Sequence, residues 1–245
     1  GQNKVDKFYM TLTVQTPTSN GTRTAQNNPK EASKEESYVT SGTFYLVDAN
    51  GKIAKSITID EKAWADAKVP QQGTDGKTTL QIPVENVTAG TKYSVYFLAN
   101  ATSASPLTEV FTSDLANKFA MFNENDADVK GDSHTVVFTS DNKDANSAAK
   151  VSDIIKIDRL TARIDEPTSK ATDITAYAKD AEVTEAEKNA NEDAIKAVKG
   201  VTLTKYAISN VANKTNVMQQ WADAECTTLS IPTGITYFQP TSEFG

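Results

Sequence analysis

Val5-Asp6-Lys7-Phe8-Tyr9-Met10-Thr11-Leu12-Thr13-Val14 is the stretch from which the fold can be read. Phe8, Met10, Leu12 and Val14 alternate with Lys7, Tyr9, Thr11 and Thr13. A period of two puts the first set on one face of an extended chain and the second on the other, so the stretch is expected to be a half-buried β-strand. Pro17, Ser19, Asn20, Gly21 and Thr22 end the pattern, and Arg23, the first arginine of the chain, opens a run to about Glu36 with almost no large apolar residue. Such a run cannot bury enough surface to offset its ordering entropy, so it is expected to be exposed and mobile, the kind of backbone a protease needs. The plainest expectation is an N-terminal strand followed by a surface loop.

The next segments repeat strand logic with turn chemistry between them. Thr43 to Val47 and Ile53 to Ile59 flank Asp48-Ala49-Asn50-Gly51 and predict a hairpin closed at Asn50 and Gly51. Glu61 to Lys68, centred on Trp64, predicts one or two helical turns. Thr79 to Val84 is a short strand in which Pro83 implies a sheet edge or strand end. In Lys92 to Ala99 both faces carry large apolar residues, Tyr93, Val95 and Phe97 against Tyr96 and Leu98, which predicts a central strand.

Further on, Leu115, Phe119 and Phe122 recur at spacings of four and three, predicting a short helix over Ser113 to Phe122. Asn123 to Gly131 is expected to be an acidic loop and His134 to Phe138 a strand. Lys150 to Asp165 is expected to be a long strand bent near Asp158 and Arg159, and Ile174 to Ala178 a short one. Thr184 to Lys199 carries a Thr-x-x-Glu capping box, Thr184 with Glu187, and Gly200 stands at its end. Its few apolar residues, Ala186, Ala190, Ala194, Ile195 and Val198, place it on the surface as an insertion. Val201 to Asn210 is expected to return to strand and Asn210 to Gln220 to form a loop. Trp221 to Gly245 has too little apolar content for a core of its own. The fold class is therefore mostly β, a sandwich with short helical insertions.

Composition narrows function further. The chain has 245 residues, 25 basic against 32 acidic, and a net charge of −7; only Arg23, Arg159 and Arg163 are arginines. Without a clustered basic surface, nucleic acid is a poor partner. No apolar run approaches the roughly 20 residues needed to cross a bilayer. Gly1 opens directly on polar residues, which implies a targeting peptide either removed or never present. Cys226 is alone, so no internal disulfide framework is expected.

Catalytic and metal chemistry find little footing. His134 is the single imidazole and reads as a strand-end residue; no Gly-rich elbow surrounds Cys226, and no phosphate-binding glycine loop follows a strand. Asp126, Asp128 and Gly131 fall at positions one, three and six of a calcium loop, but Lys130 and Val137 occupy positions five and twelve, where oxygen ligands are needed. No cofactor, metal or catalytic residue is therefore assigned. Asn20, Asn86, Asn100 and Asn213 each begin an Asn-x-Ser/Thr sequon, which matters only in a glycosylating compartment.

The strand Lys-Phe-Tyr-Met-Thr-Leu-Thr-Val, a polar loop with Thr-Arg-Thr, an Ile-Asp-Arg-Leu-Thr-Ala-Arg-Ile strand (Ile157 to Ile164) and the Tyr-Ala-Ile-Ser-Asn-Val-Ala-Asn-Lys-Thr segment (Tyr206 to Thr215) together resemble the fimbrillins, the subunits of type V fimbriae of Bacteroidales, the short-fimbria shaft subunits nearest among them. The resemblance implies a transthyretin-like β-sandwich, with a second sandwich domain largely missing from this sequence. It divides the chain into a removable strand and protease-sensitive loop (1–36), an N-terminal sandwich (37–215) and a linker or domain start (216–245). It further implies export as a lipoprotein precursor to the cell surface and cleavage after Arg23 by an arginine-specific protease. A neighbouring subunit's strand would then fill the groove vacated by Phe8, Met10, Leu12 and Val14. Other fimbrial subunits, and host proteins or other bacteria as adhesion partners, belong to the same expectation. The competing expectation is a surface lipoprotein that binds glycan or a host protein through exposed aromatics such as Trp64 or Trp221, with residues 5–15 a permanent strand.

Overall fold

The computed structural model describes residues 6–17, 37–70, 76–108, 110–111, 119–124, 134–161, 184–199, 205–218, 222–225 and 228–240. In chain order the elements begin with strands β1 (Lys7–Gln15), β2 (Gly42–Val47) and β3 (Ile53–Ile59), helix α1 (Glu61–Ala67), and strands β4 (Lys68–Val69), β5 (Lys77–Glu85), β6 (Lys92–Ala99), β7 (Val110–Phe111), β8 (Met121–Asn123) and β9 (Thr135–Val137). They continue with β10 (Ala149–Lys150), β11 (Ile155–Arg159), helix α2 (Glu185–Lys199), β12 (Val211–Ala212), β13 (Thr215–Asn216) and β14 (Tyr237–Phe238). The chain forms two compact units: Gly1–Ala162 with Asn213–Thr236, and Arg163–Ala212 with Tyr237–Gly245.

The first unit is a ten-stranded sheet in the order β3-β2-β6-β8-β11-β1-β5-β4, with β10 alongside β1 and β9 alongside β6. The sheet curls so that its two halves share one core, which makes it sandwich-like. One half contributes Phe8, Met10, Leu12 and Val14 of β1 and Leu80, Ile82 and Val84 of β5; the other contributes Phe44, Leu46, Tyr93, Val95 and Phe97 of β2 and β6. Phe44 and Phe97 stack at 4.3 Å, and Trp64 of α1 stacks on the same Phe97 at 5.7 Å. The mostly β, sandwich-like fold expected from the alternation is present.

Local chemistry explains the elements. The β2–β3 hairpin turns where Asp48 accepts backbone N–H bonds from Asn50 and Lys52, and Gly51 takes a φ of +77° that favours glycine. Asp60 caps α1 by accepting from the Ala63 N–H at 2.8 Å. The outer face of β2 and β6 is also covered: Tyr45, Val47 and Leu98 pack with Phe122 and Val217, so β6 is central with two buried faces. Tyr9 donates its N–H to Asn142 rather than toward β5, so its partner Pro83 stands at a site where the β1–β5 ladder needs no donor.

Four expectations are corrected. The spacing that predicts a helix over Ser113 to Phe122 fails at its C-terminal end: Met121, Phe122 and Asn123 form β8, all three buried, with Met121 in the main core and Phe122 in the second cluster. Residues 112–118 lie outside the described residues. The long strand from Lys150 is interrupted at Val151–Ile154, where Asp153 adopts a φ of +56°, rather than bent at Asp158 and Arg159, which sit inside β11. Lys205 to Asn210 is not strand, and its side chains are exposed; Val201 to Thr204 is not described. The segment after Asn210 holds β12 and β13 instead of a plain loop, and β13 pairs with β7 through Thr215 and Phe111. Ile174 to Ala178 also lies outside the described residues.

In the second unit the capping box forms as expected. Glu187 accepts from the Thr184 N–H at 2.8 Å and hydroxyl at 2.7 Å, and the Glu187 N–H donates back to Thr184 Oγ1 at 3.3 Å. The described side chains of α2 are exposed or half-exposed. A short ribbon pairs β12 with β14, Val211 opposite Phe238 and Ala212 opposite Tyr237.

Candidate functional site

The alternation of Phe8, Met10, Leu12 and Val14 decides where β1 goes. Their relative exposures are 2, 0, 3 and 1%, so every inward side chain of the strand is inside the core. Although it comes first in the chain, β1 lies in the interior of the sheet. On one flank it runs antiparallel to β5 over its whole length, from Lys7 opposite Glu85 to Gln15 opposite Lys77. On the other it runs parallel to β10 at Met10 and Thr11 and to β11 at Val14 and Gln15. The Tyr9 N–H donates to the Asn142 carbonyl at 2.9 Å, and the Thr11 carbonyl accepts from the Val151 N–H at the same distance.

Both ends of the strand are tied. Lys143 Nζ stands 4.2 Å from the centre of the Phe8 ring and 3.2 Å from an Asp6 carboxylate oxygen. At the other end Thr16 donates its N–H to the Gly76 carbonyl at 2.8 Å. Ser37 Oγ donates to the Pro17 carbonyl at 3.4 Å and accepts from Arg159 Nη2 at 3.1 Å. Residues 17 and 37 are therefore within a hydrogen bond of each other, so the two ends of segment 18–36 lie at one place. Cutting the chain between them removes the covalent tie of β1 to residue 37 and beyond, and the contacts just described for residues 6–17 do not depend on that tie.

Those contacts are substantial. Burying four such side chains contributes up to about 6–12 kcal/mol, an upper bound because the unfolded chain already buries part of this surface. Losing β1 would open a groove walled by Leu80, Ile82 and Val84 on one side and Ala149, Val151 and Ile155 on the other, with a strand edge along each wall. A strand edge with unpaired N–H and C=O groups recruits another strand.

The other candidates divide differently. Trp64 is not an exposed aromatic platform: it is 3% exposed and stacked in the core, with its indole Nε1 lacking a partner. His134 is buried; its imidazole Nε2 lies 2.9 Å from the Ile154 carbonyl, just before β11, and its backbone carbonyl accepts from the Val95 N–H of β6, so the residue joins the start of β9 to both. Asn123, expected in an acidic loop, is a buried strand residue whose side chain accepts from the Phe97 N–H at 2.7 Å and donates to the Val95 carbonyl at 3.2 Å. Of the sequons, Asn100 spends its side chain on the backbone of Tyr38, Thr40 and Phe119, whereas Asn86 is exposed in a turn. Arg23, Asn20, Asp126, Asp128, Gly131, Trp221 and Cys226 lie outside the described residues. Among the described residues no helix is long and apolar enough to cross a membrane.

No protein-family model matches the chain, and no curated protein matches it. Among solved structures it is similar to a fimbrial assembly protein from Parabacteroides distasonis, with a TM-score of 0.49 and 13% identity over 97% of this chain and 78% of that one.

Proposed function

We propose that the chain is a structural subunit of a cell-surface fimbria rather than an enzyme, and that β1 is a placeholder in a groove meant for another subunit's strand. An arginine-specific protease cuts after Arg23, β1 departs, and the C-terminal strand of a neighbouring subunit enters between β5 and β10–β11. Main-chain hydrogen bonds supply affinity, and the pockets of Phe8, Met10, Leu12 and Val14 supply register. Export as a lipoprotein precursor and adhesion to host proteins or other bacteria are parts of the same proposal. What supports it is the placement of an N-terminal strand in the interior of a sheet, tied to the rest by a segment whose ends meet at Pro17 and Ser37. Limited digestion with an arginine-specific protease, followed by mass spectrometry and electron microscopy of the products, tests it. The first cut is expected after Arg23, with polymers appearing only after cutting. A folded protein that resists cutting there, or one that is cut and polymerises with β1 still in its groove, overturns the proposal.

The alternative, a binding module for glycan or host protein with β1 permanent, loses Trp64 as a contact. It keeps Tyr206 and Tyr237 of the second unit, which are exposed. A carbohydrate complex whose affinity is unaffected by salt and abolished by Tyr237→Ala would favour it.

A further inference from the structure

The groove is not the same along its length. Met10, Leu12 and Val14 sit in the hydrophobic core with no charged group recorded against them among the described residues, whereas the Phe8 position has a mixed wall. The Phe138 ring lies 5.5 Å from Phe8 at 42°, Tyr93 stands behind Phe138, and the Lys143 ammonium covers the face of the Phe8 ring. The same ammonium pairs with Asp6. Residues two apart in an extended chain share a face, so an acid at position 6 and a ring at position 8 come to one cation.

The backbone around Lys143 is held in place by its own loop. Asn142 Oδ1 accepts from the Thr139 N–H at 2.8 Å and hydroxyl at 3.1 Å, and its Nδ2 donates to the Ser147 carbonyl at 2.8 Å. Asp144 caps the 3-10 turn Ala145–Ser147 by accepting from the N–H groups of Asn146 and Ser147. The residues on both sides of Lys143 are thus fixed, and the Asn142 carbonyl also takes the Tyr9 N–H, so the loop is registered to β1 itself. A lysine whose backbone is already fixed loses less freedom when it engages a ligand than one on a loose loop does.

We infer that Lys143 selects the strand that fills this groove, by reading an acidic residue two positions before an aromatic one. The occupant it fits is an extended segment of a second polypeptide with Asp or Glu, any residue, then Phe or Tyr, followed by apolar residues at alternate positions, entering in the direction in which β1 runs. The ring brings a cation–π contact, the carboxylate a charge pair, and together they set both the end at which the strand starts and its register. This rests on the proposal that β1 is replaced.

The test uses the whole protein cut after Arg23 and fluorescent peptides of residues 4–17, wild-type or Asp6→Asn, with binding read by anisotropy. The wild-type peptide is expected to enter. The Asp6→Asn peptide is expected to bind about two- to five-fold more weakly, the scale of an exposed charge pair, and this penalty shrinks at high salt. In Lys143→Met protein the two peptides are expected to bind equally, and in Lys143→Glu protein an Asp6→Lys peptide is expected to beat the wild-type one. A Phe8→Leu peptide is expected to lose part of its penalty in Lys143→Met protein. An Asp6→Asn penalty of the same size in wild-type and Lys143→Met proteins, both with the same melting temperature, overturns the role of Lys143 while leaving strand replacement standing. Failure of the wild-type peptide to enter the cut protein overturns replacement itself, and the selection with it.

Discussion

Leu12→Ala is the substitution that weighs the position of β1 most heavily. Leu12 is opposite Leu80 in the register, 3% exposed, with Leu80 and Met10 beside it at 0%. Strands on both flanks hold the backbone in place, so the site has little freedom to collapse around the lost methyls. Core Leu→Ala changes cost about 2–5 kcal/mol, and a confined site falls in the upper part of that range, about 3–4 kcal/mol. For a unit of this size the loss corresponds to a melting temperature lower by about 6–15 °C. Thr11→Ala, one residue earlier and on the other face, removes no core volume and is expected to cost less than about 1 kcal/mol. Urea unfolding of the two variants, followed by fluorescence and circular dichroism, gives the comparison. Equal losses, or a Leu12→Ala cost under about 1 kcal/mol, would mean that β1 does not lie in the core in this register, since a one-residue slip exchanges the two faces.

Gly42→Ala is expected to be more damaging than its size suggests, because a Cβ there would meet the Leu98 carbonyl at 2.3 Å and the Phe97 ring at 2.7 Å; a cost of about 3 kcal/mol or more should show in soluble yield and melting temperature. Asn123→Ala leaves the Phe97 N–H and the Val95 carbonyl without their partner, at about 1–3 kcal/mol for each buried group, and should speed hydrogen exchange at the Phe97 amide. Glu187 carries a pH signature. Its carboxylate accepts from the Thr184 backbone and then from the Thr184 hydroxyl, which holds its pKa below the ordinary value. The folded form thus favours the deprotonated acid. Its contribution to α2 is full above the usual carboxylate range, near 4.3, and is lost as pH falls through the lower folded pKa. Amide signals of the first turn of α2 should lose protection over that acidic interval in the wild type and show no such step in Glu187→Gln.

Strong local signals survived folding in this chain. The alternation that placed β1, the Asn50–Gly51 hairpin, the helix around Trp64 and the Thr184–Glu187 box all depend on neighbours within a few residues, and the structure contains each of them. The failures came where tertiary placement decides. Phe122 continues a helical spacing from Leu115 and Phe119, yet Phe122 and its neighbour Met121 are taken by different clusters on opposite faces of a three-residue strand. Val201 to Asn210 alternates well, yet Lys205 to Asn210 is exposed and not strand, because alternation in sequence does not itself bring a neighbouring ladder within reach. The break at Val151–Ile154 has a visible sign in Ser152 and Asp153, adjacent polar residues within an otherwise apolar-alternating stretch. A single tryptophan in a short helix shows no direction in sequence, so Trp64 reads there as an exposed contact; packing against Phe97 settles it. Lys143 is not legible in the sequence because it is 137 residues from Asp6 and carries no motif, so only the fold brings the cation to the ring.

Strand replacement itself is tested most directly by native mass spectrometry of protein cut after Arg23 and mixed with excess isotopically heavy peptide of residues 1–23, the same segment that the cut releases. The light strand is expected to be exchanged for the heavy one with the rest of the chain still folded, and the mass of the complex should shift by the label alone. A cut protein that keeps its light strand indefinitely, or that loses it only on global unfolding, would contradict the proposed role of the groove.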